Sequence, residues 1–308
     1  MNSILPSHST FVSGVRAVRP RISVVMVVYQ TGEALVESIL HVLAEPLVDE
    51  FVIVDNGSPP SEAERLRALG KTEARIVLQQ GHGNVGFARG ANLGAETARG
   101  EYIVFLNPDA NLQKGCIEAL VEAFGERAAP IVVGARVLNV DGSEQRGGRR
   151  GEVTPVTTLL SFSHLTGRFP GLHKFEIHRE QEPVPAEPVA MPTISGACFA
   201  LRRDDFDLLG GFDEGYFLHV EDIDLCWRAR QAGGEVLFQP KAEVIHLGHT
   251  SLEHPLKVEF HKGVGLSRYF IKRADTVQRY IIAVLLAPAI LLMSVSRPLI
   301  WKLTGRPI

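Results

Sequence analysis

The 308-residue chain has three cysteines, Cys116, Cys198 and Cys226, widely separated and odd in number. A disulfide framework is unsuited to that count, and no spacing among them fits a zinc or dithiol site. They read as reduced, buried small hydrophobes of a cytosolic protein. The first twenty residues hold Arg16, Arg19 and scattered Ser and Pro but no apolar core segment, so residues 1–20 read as a flexible leader and not as a secretory signal. Internal repeats are missing, and the nearest thing to a biased tract is the short Pro-rich stretch Pro183 to Pro192.

A strong overall charge is also missing: the formal net charge is −3, and no nucleic-acid partner is expected. The charge is unevenly spread, however. From Leu256 to Ile308 nine Lys or Arg face two acids, a net +7, which leaves −10 on the preceding 255 residues. A basic tail on an acidic body points to an anionic membrane surface. With 45% hydrophobic and 22% charged residues the chain can bury a sizeable core, as one large domain or two small ones.

The chain is organised around Gly100 to Asp109, GEYIVFLNPD. Its continuous β-branched and aromatic run is too short for a helix and too uniformly apolar for a half-wet strand, which predicts a buried strand of a parallel sheet. Pro108 cannot continue a ladder, so Asp109 falls just past the strand's carboxyl end, where open α/β sheets bind ligands. A carboxylate there suits a hard divalent cation bridging to substrate phosphates; read alone, Asn-Pro-Asp is equally plain turn chemistry. Around it the pattern predicts strands at 22–28, 51–54, 75–78, 131–138, 194–201, 235–238 and 244–246. Helices are predicted at 33–44, 61–69, from the Gly-rich loop to 98, at 114–124 and at 220–232. Strands alternating with helices predict an α/β fold with right-handed crossovers. Asp141 to Val189 reads as an irregular insertion shaping a pocket wall.

Four further features carry chemistry. Gly81-x-Gly83-x-x-Gly86 opens a helix after a strand, as in a dinucleotide fingerprint, though it follows the third strand; in either reading, glycines and a helix N-terminus favour an anion. Asp55 could accept from a nucleoside or cap the Asp-Asn-Gly-Ser turn. Glu221, Asp222 and Asp224 in a helix's first turn could compensate its dipole or supply a general base; nearby Tyr216, Phe217 and Trp227 would offset the dipole by burial. His246 ends a late strand and His249 follows in HLGHTS, and either could be a metal ligand or an ordinary polar histidine.

Taken together, VVMVVYQTGEAL, FVIVDNGSP, GNVGFARGANLG, YIVFLNPDA, ISGACFALRRDDFDLLGGFDE and HVEDIDLCWRARQAGG resemble the family 2 inverting glycosyltransferases, especially the bacterial rhamnosyltransferase-like members. The resemblance runs from about Ile22 to Thr250. It implies a GT-A, Rossmann-like, mostly parallel sheet flanked by helices, with a nucleotide-binding half at about 21–140 and an acceptor-binding half at about 141–255. It also implies a nucleotide-sugar donor, with dTDP-rhamnose among the choices, and a glycan or lipid-linked acceptor. Tyr29 and Asp55 would lie at the nucleoside, with Asn84, Gly86, Phe87 and Asn92 near the ribose and diphosphate. Asp109 would hold Mg²⁺ or Mn²⁺ against the donor diphosphate, with His246, on the reading of its strand-end position above, as a further arm of that site, and Asp222 of the Glu221-Asp222 pair would be the catalytic base. Asn107 stands where the family's metal motif often has its first acid, leaving fewer direct ligands, and Pro59-Pro60 stands where many relatives have another acid.

In the tail, residues 256–308, Tyr280 to Val295 is apolar for 16 residues, about 24 Å of helix. That is short for a span, and Pro288 would kink it, so an interfacial or re-entrant anchor on the inner face of the cell membrane is preferred over a buried packing helix. Two other function classes stay open on sequence alone: a nicotinamide-dependent oxidoreductase resting on Gly81 to Gly86, and a catalytically silent nucleotide-sugar-binding membrane scaffold.

Overall fold

A computed structural model describes residues 19–127, 129–163, 165–248, 250–251 and 253–304, so most of the leader and His249 lie outside the described residues. β1 (Ile22–Val28), β2 (Glu50–Asp55), β3 (Ile76–Gln79) and β4 (Tyr102–Leu106) alternate with α1 (Ala34–Ala44), α2 (Pro60–Thr72) and α3 (Phe87–Thr97). The four strands pair in parallel, and the apolar runs of β1, β2 and β4 are buried along almost their whole length, as a sheet covered on both faces requires. Their carboxyl ends share one edge of the sheet.

Past β4 come β5 (Ala110–Leu112), α4 (Cys116–Glu122) and β6 (Ile131–Leu138). The segment that follows holds β7 (Arg149–Arg150), α5 (Pro155–Phe162), α6 (Leu165–Arg168), a 3₁₀ turn at Pro170–Phe175, β8 (Val189–Ala190) and β9 (Thr193–Ile194). β10 (Cys198–Arg202) lies antiparallel between β4 and β6. After α7 (Arg203–Leu208) and α8 (Glu221–Gln231), β11 (Glu235–His246) runs parallel to β6 and carries β5 and β8 antiparallel. The main path of the nine-stranded sheet is β3-β2-β1-β4-β10-β6-β11-β5. The two halves expected from sequence thus share one sheet.

Two expectations need correction. The strands expected at 235–238 and 244–246 are one strand of 12 residues, whose register against β6 shifts between Gln239 and Glu243. Pro240, lacking an N–H, interrupts the ladder there without ending the strand. The insertion is not irregular throughout: Thr154 and Thr157 cap α5 reciprocally, each hydroxyl accepting from the other's backbone N–H at 2.9 and 3.2 Å, with Pro155 in the first turn. The three cysteines are free and buried, as expected.

Helix α3 presses on β1 and β2 through small residues. A Cβ built on Gly94 would stand 2.4 Å from Val25 Cγ1 and 3.0 Å from Val54 Cγ2. Gly94→Ala is therefore expected to destabilise the fold by about 1–3 kcal/mol through overpacking, despite alanine's better helix propensity, read as a lowered denaturant midpoint.

The tail is a helical hairpin of α9 (Pro255–Lys272) and α10 (Val277–Thr304). The two run antiparallel, with Glu259 beside Arg297 and Gly263 against Leu291 and Ser294. The 16-residue stretch is thus part of a 28-residue helix that continues through Pro288 and Pro298. Val277–Ile300 is long and apolar enough to cross a membrane by length and composition. Ala283 and Ile290 are buried against the body, whereas Leu285 and Leu292 are each 71% exposed, so the fold covers only one face of α10.

Candidate active site

At the carboxyl edge of the sheet a cleft of about 900 Å³ is lined by Tyr29, Asn56, Asn84, Gly86, Phe87, Asn107, Asp109 and His246, with walls from α9 and α10. A second cavity of about 310 Å³ is lined by Glu221, Asp222, Arg150, Gly196 and His178. Phe87, Asn107, His219, His246 and Lys262 line both, so the two cavities share a wall.

Asp109 Oδ1 stands 3.1 Å from His246 Nε2, and its Oδ2 accepts from the Thr250 hydroxyl at 2.9 Å. Burial alone would raise the proton affinity of this carboxyl, but the hydrogen bond and charge of His246, with Thr250, hold it below the usual range. His246 Nδ1 lies 2.7 Å from Gln145 Oε1, while the Gln145 amide NH₂ donates to the His246 carbonyl at 3.0 Å and to Asn139 Oδ1 at 3.2 Å. That orientation makes Gln145 Oε1 an acceptor and puts a proton on Nδ1. Nε2 then faces Asp109 Oδ1 and the Asn107 amide, on the side of the ring that looks into the cleft. Asp109 and His246 offer two ligands to a divalent cation, no group of three His, Cys, Asp or Glu side chains is gathered among the described residues, and phosphates and water would have to fill the remaining sites. Gln145→Leu is expected to lower Mn²⁺ affinity about 10- to 100-fold with the fold intact, measured by calorimetry.

In the second cavity, Asp222 Oδ2 accepts from Gly196 N at 3.0 Å and from Arg150, which also donates to the Ile194 carbonyl at 2.7 Å. Asp222 Oδ1 accepts from Ile223 N at 2.8 Å. Its neighbour Glu221 is buried, and burial first, then the charge of Asp222, pushes its carboxyl up to about 8. The expected offset of the helix dipole by burial thus falls on Glu221. Asp224 is structural, tied to Arg228 at 2.6 Å and Lys272 at 2.8 Å. His219 and Val220 enter α8 with φ of 66° and 75°, a conformation costly for a β-branched residue that sets the first turn of α8 facing the cavity.

Gly86 joins the two sides. Its φ is 87°, a Cβ there would meet the Phe217 carbonyl at 2.6 Å, and Phe87 N donates to that same carbonyl at 2.8 Å. Tyr29 lines the cleft with its hydroxyl donating to Glu253 at 2.9 Å, and Asn84 caps Gly86 N at 3.0 Å while bonding Asn56. Two expected donor residues do not line the cleft and have protein partners. Asp55 accepts from Gly57 N, Ser58 N and Gln80, capping its own turn while Asn56 takes the cleft wall. Asn92 bonds both the N–H and the carbonyl of Phe212, pinning the turn before α8. Gly81 to Gly86 follows β3, the outer strand of the sheet, which is no place for the first phosphate turn of a dinucleotide fold.

The family model described as glycosyl transferase family 2 matches residues 23–210, more than half of the chain. The chain belongs to glycosyl transferase family 2. Among curated relatives of this family 2 chain, an N-acetylglucosaminyl-diphospho-decaprenol L-rhamnosyltransferase of Mycobacterium tuberculosis is 31% identical over 148 residues, 47% of each chain. Glycosyltransferase GlyG of Streptococcus pneumoniae is 32% identical over 124 residues, 40% of this chain and 41% of that one. The chain spans about half the length of these relatives. Of solved structures, the mannosyltransferase PcManGT of Pyrobaculum calidifontis in complex with GDP-Man and Mn²⁺ superposes with TM-score 0.58 at 15% identity, covering 91% of this chain and 74% of that one. GalNAc-T7 with UDP, GalNAc and Mn²⁺ gives TM-score 0.56 at 17% identity, covering 84% and 52%. The fold is GT-A, as the resemblance implied.

Sequence reasoning missed Arg150, Gln145 and Thr250. Each bonds a candidate site residue from far along the chain, Arg150 across 72 residues and Thr250 across 141. The one local signal was the density of Gly and Arg in Asp141 to Arg150.

Proposed function

We propose that the protein is an inverting, metal-assisted transferase moving a sugar from a nucleotide-sugar donor to a hydroxyl of a glycan or lipid-linked acceptor, in cell-surface polysaccharide synthesis at the cytoplasmic face of the membrane. The observation that carries this is the shared wall between the Asp109–His246 cleft and the Asp222 cavity. Donor diphosphate belongs at Asp109 and His246, the nucleoside towards Tyr29, and the accepting hydroxyl at Asp222. Asp222 takes the hydroxyl proton as the oxygen bonds the anomeric carbon; the bond from that carbon to the diphosphate breaks, and its electron pair leaves with the nucleoside diphosphate. Attack from the face opposite the leaving group inverts the centre. When bound, Mg²⁺ or Mn²⁺ at Asp109 and His246 supplies Lewis-acid stabilisation of the leaving diphosphate.

The test is calorimetric binding of dTDP-, UDP- and GDP-sugars and NADH, with and without Mn²⁺. Mn²⁺-dependent binding of one nucleotide sugar supports the reading, with dTDP-rhamnose the first donor to try because of the rhamnosyltransferase relative. NADH binding without a sugar-nucleotide response overturns it. Membrane association rests on the exposed face of α10 and the basic tail. The full chain is expected to sediment with anionic vesicles, and a chain ending at Thr276 to stay in the supernatant.

A further inference from the structure

His178 follows the 3₁₀ turn, in a stretch that runs beside β7, and lines the smaller cavity with Asp222 and Arg150. It stands opposite Arg150 in an isolated antiparallel bridge, flanked by the bonds from Gly151 N to the Ile177 carbonyl at 2.7 Å and from Arg179 N to the Arg149 carbonyl at 3.2 Å. Residues opposed between two such bonds form the close, non-hydrogen-bonded kind of antiparallel pair, and their side chains share one face. From that face Arg150 reaches Asp222 Oδ2. The carboxylate thus stands at the tip of the arginine and the imidazole beside its root.

One nitrogen holds the ring. His178 Nδ1 lies 2.7 Å from Glu176 Oε1, 3.3 Å from the Ser161 hydroxyl and 3.2 Å from the Arg146 guanidinium. Glu176, the nearest of the three, decides the tautomer. It accepts from the hydroxyls of Thr166 and Ser161 and from His178 N. Against the upward pull of burial, the bonds from Thr166 and His178 hold its carboxyl down at about 2, so it is an acceptor-only carboxylate and Nδ1 carries the proton. Burial, then the charge of Arg146, push the imidazole down to about 4 against the pull of Glu176, so the ring is neutral and Nε2 is a bare acceptor. Among the described residues Nε2 has no hydrogen-bond partner. A neutral acceptor on a cavity wall suits the hydroxyl of an alcohol and not an anion.

We propose that His178 selects the acceptor: its Nε2 accepts a hydrogen bond from a second hydroxyl of the sugar whose first hydroxyl gives its proton to Asp222. This rests on the transferase reading and adds what the cavity asks of its substrate, a free hydroxyl near the one that is glycosylated. At about 310 Å³ the cavity is large enough for a sugar ring. Ser161 of α5 and Thr166 of α6 fix Glu176, and Glu176 fixes the imidazole, so the helices of the insertion act on recognition through one carboxylate.

The experiment uses the full-length protein with Mn²⁺ and the nucleotide sugar that binds in the calorimetric panel. The p-nitrophenyl glycosides of glucose, galactose, mannose, N-acetylglucosamine and rhamnose are tried as acceptors, and the best is remade as single-deoxy derivatives at each hydroxyl that is not glycosylated. With wild type, one derivative is expected to lose about tenfold or more in kcat/KM, the scale of a site built around a substrate hydroxyl. With His178→Phe, which fills the place of the ring without an acceptor atom, the parent glycoside is expected to fall by about that factor and the same derivative to lose less than about twofold more. His178→Gln can set its amide oxygen near the position of Nε2 and is expected to restore most of the discrimination. Calorimetric donor affinity is expected to stay within about twofold in both variants. A deoxy penalty equal in wild type and His178→Phe at every position overturns the proposal. So does a loss of donor binding in His178→Phe that matches its loss of transfer, which would mark a packing role for the Glu176 network. Donor binding by wild type without transfer to any of these glycosides takes the sugar out of the cavity and overturns the proposal while the donor site stands. Absence of Mn²⁺-dependent donor binding overturns the transferase reading itself, and the proposal with it.

Discussion

Asp222→Asn is expected to lower kcat by a factor of about 10² to 10⁴, with the KM for donor changed little. The asparagine keeps an oxygen to accept from Gly196 N and Arg150, so the cavity holds its shape, but it cannot take the acceptor proton. An unchanged kcat would remove Asp222 from the chemistry. The substitution has a second readout in stability. Burial and the Asp222 charge keep Glu221 protonated to about pH 8 in the folded protein, whereas in the unfolded chain it ionises near its ordinary value of 4.5. A carboxyl raised in this way contributes stability that is fully present below the unfolded value and lost as pH rises towards 8. Removing the Asp222 charge lowers the folded value, so Asp222→Asn is expected to lose less stability than wild type between pH 5 and 8 in urea titrations. A substitution that merely damaged the fold would lower stability at every pH.

The second large effect is at Asp109. Asp109→Asn leaves an amide that can still accept from Thr250 but removes the charge that pairs with His246. Mn²⁺-dependent binding of the donor is expected to disappear, and kcat/KM to fall by about 10² to 10³, corresponding to several kcal/mol of Lewis-acid stabilisation. Thermal unfolding gives an independent reading. Mn²⁺ with the nucleotide sugar should raise the Tm of wild type by mass action and leave that of Asp109→Asn where it was. A variant that still responds to Mn²⁺ would place the metal elsewhere.

Much of this arrangement was legible in the sequence, for reasons specific to its parts. Tyr102 to Leu106 could be read as a buried strand because five consecutive apolar residues suit a sheet covered on both faces, and Pro108 told where it ends. The Glu221-Asp222 pair could be read because acids cluster visibly in a first turn. What was illegible is pairing at a distance. Asp55 and Asn92 carry polar side chains that suit a ligand as well as a turn, and only the fold shows that Gln80 and Phe212 have taken them. Arg150 and Lys262 look like solvated charges until β7 and α9 bring them to the cavities. In β11, Pro240 imitates a strand end, because a missing N–H breaks periodicity whether the chain turns or runs on.

The bond from Phe87 N to the Phe217 carbonyl, with Gly86 pressed against that carbonyl, ties the Gly-rich loop to the segment that enters α8 by main chain alone. On the proposed transferase reading, the main chain and not the sugar-contacting side chains then carries the link between the two cavities. Such a chassis lends itself to retooling: residues contacting the sugar or the acceptor can be exchanged one by one to change what is joined to what, and the spacing that the reaction requires is carried over unchanged.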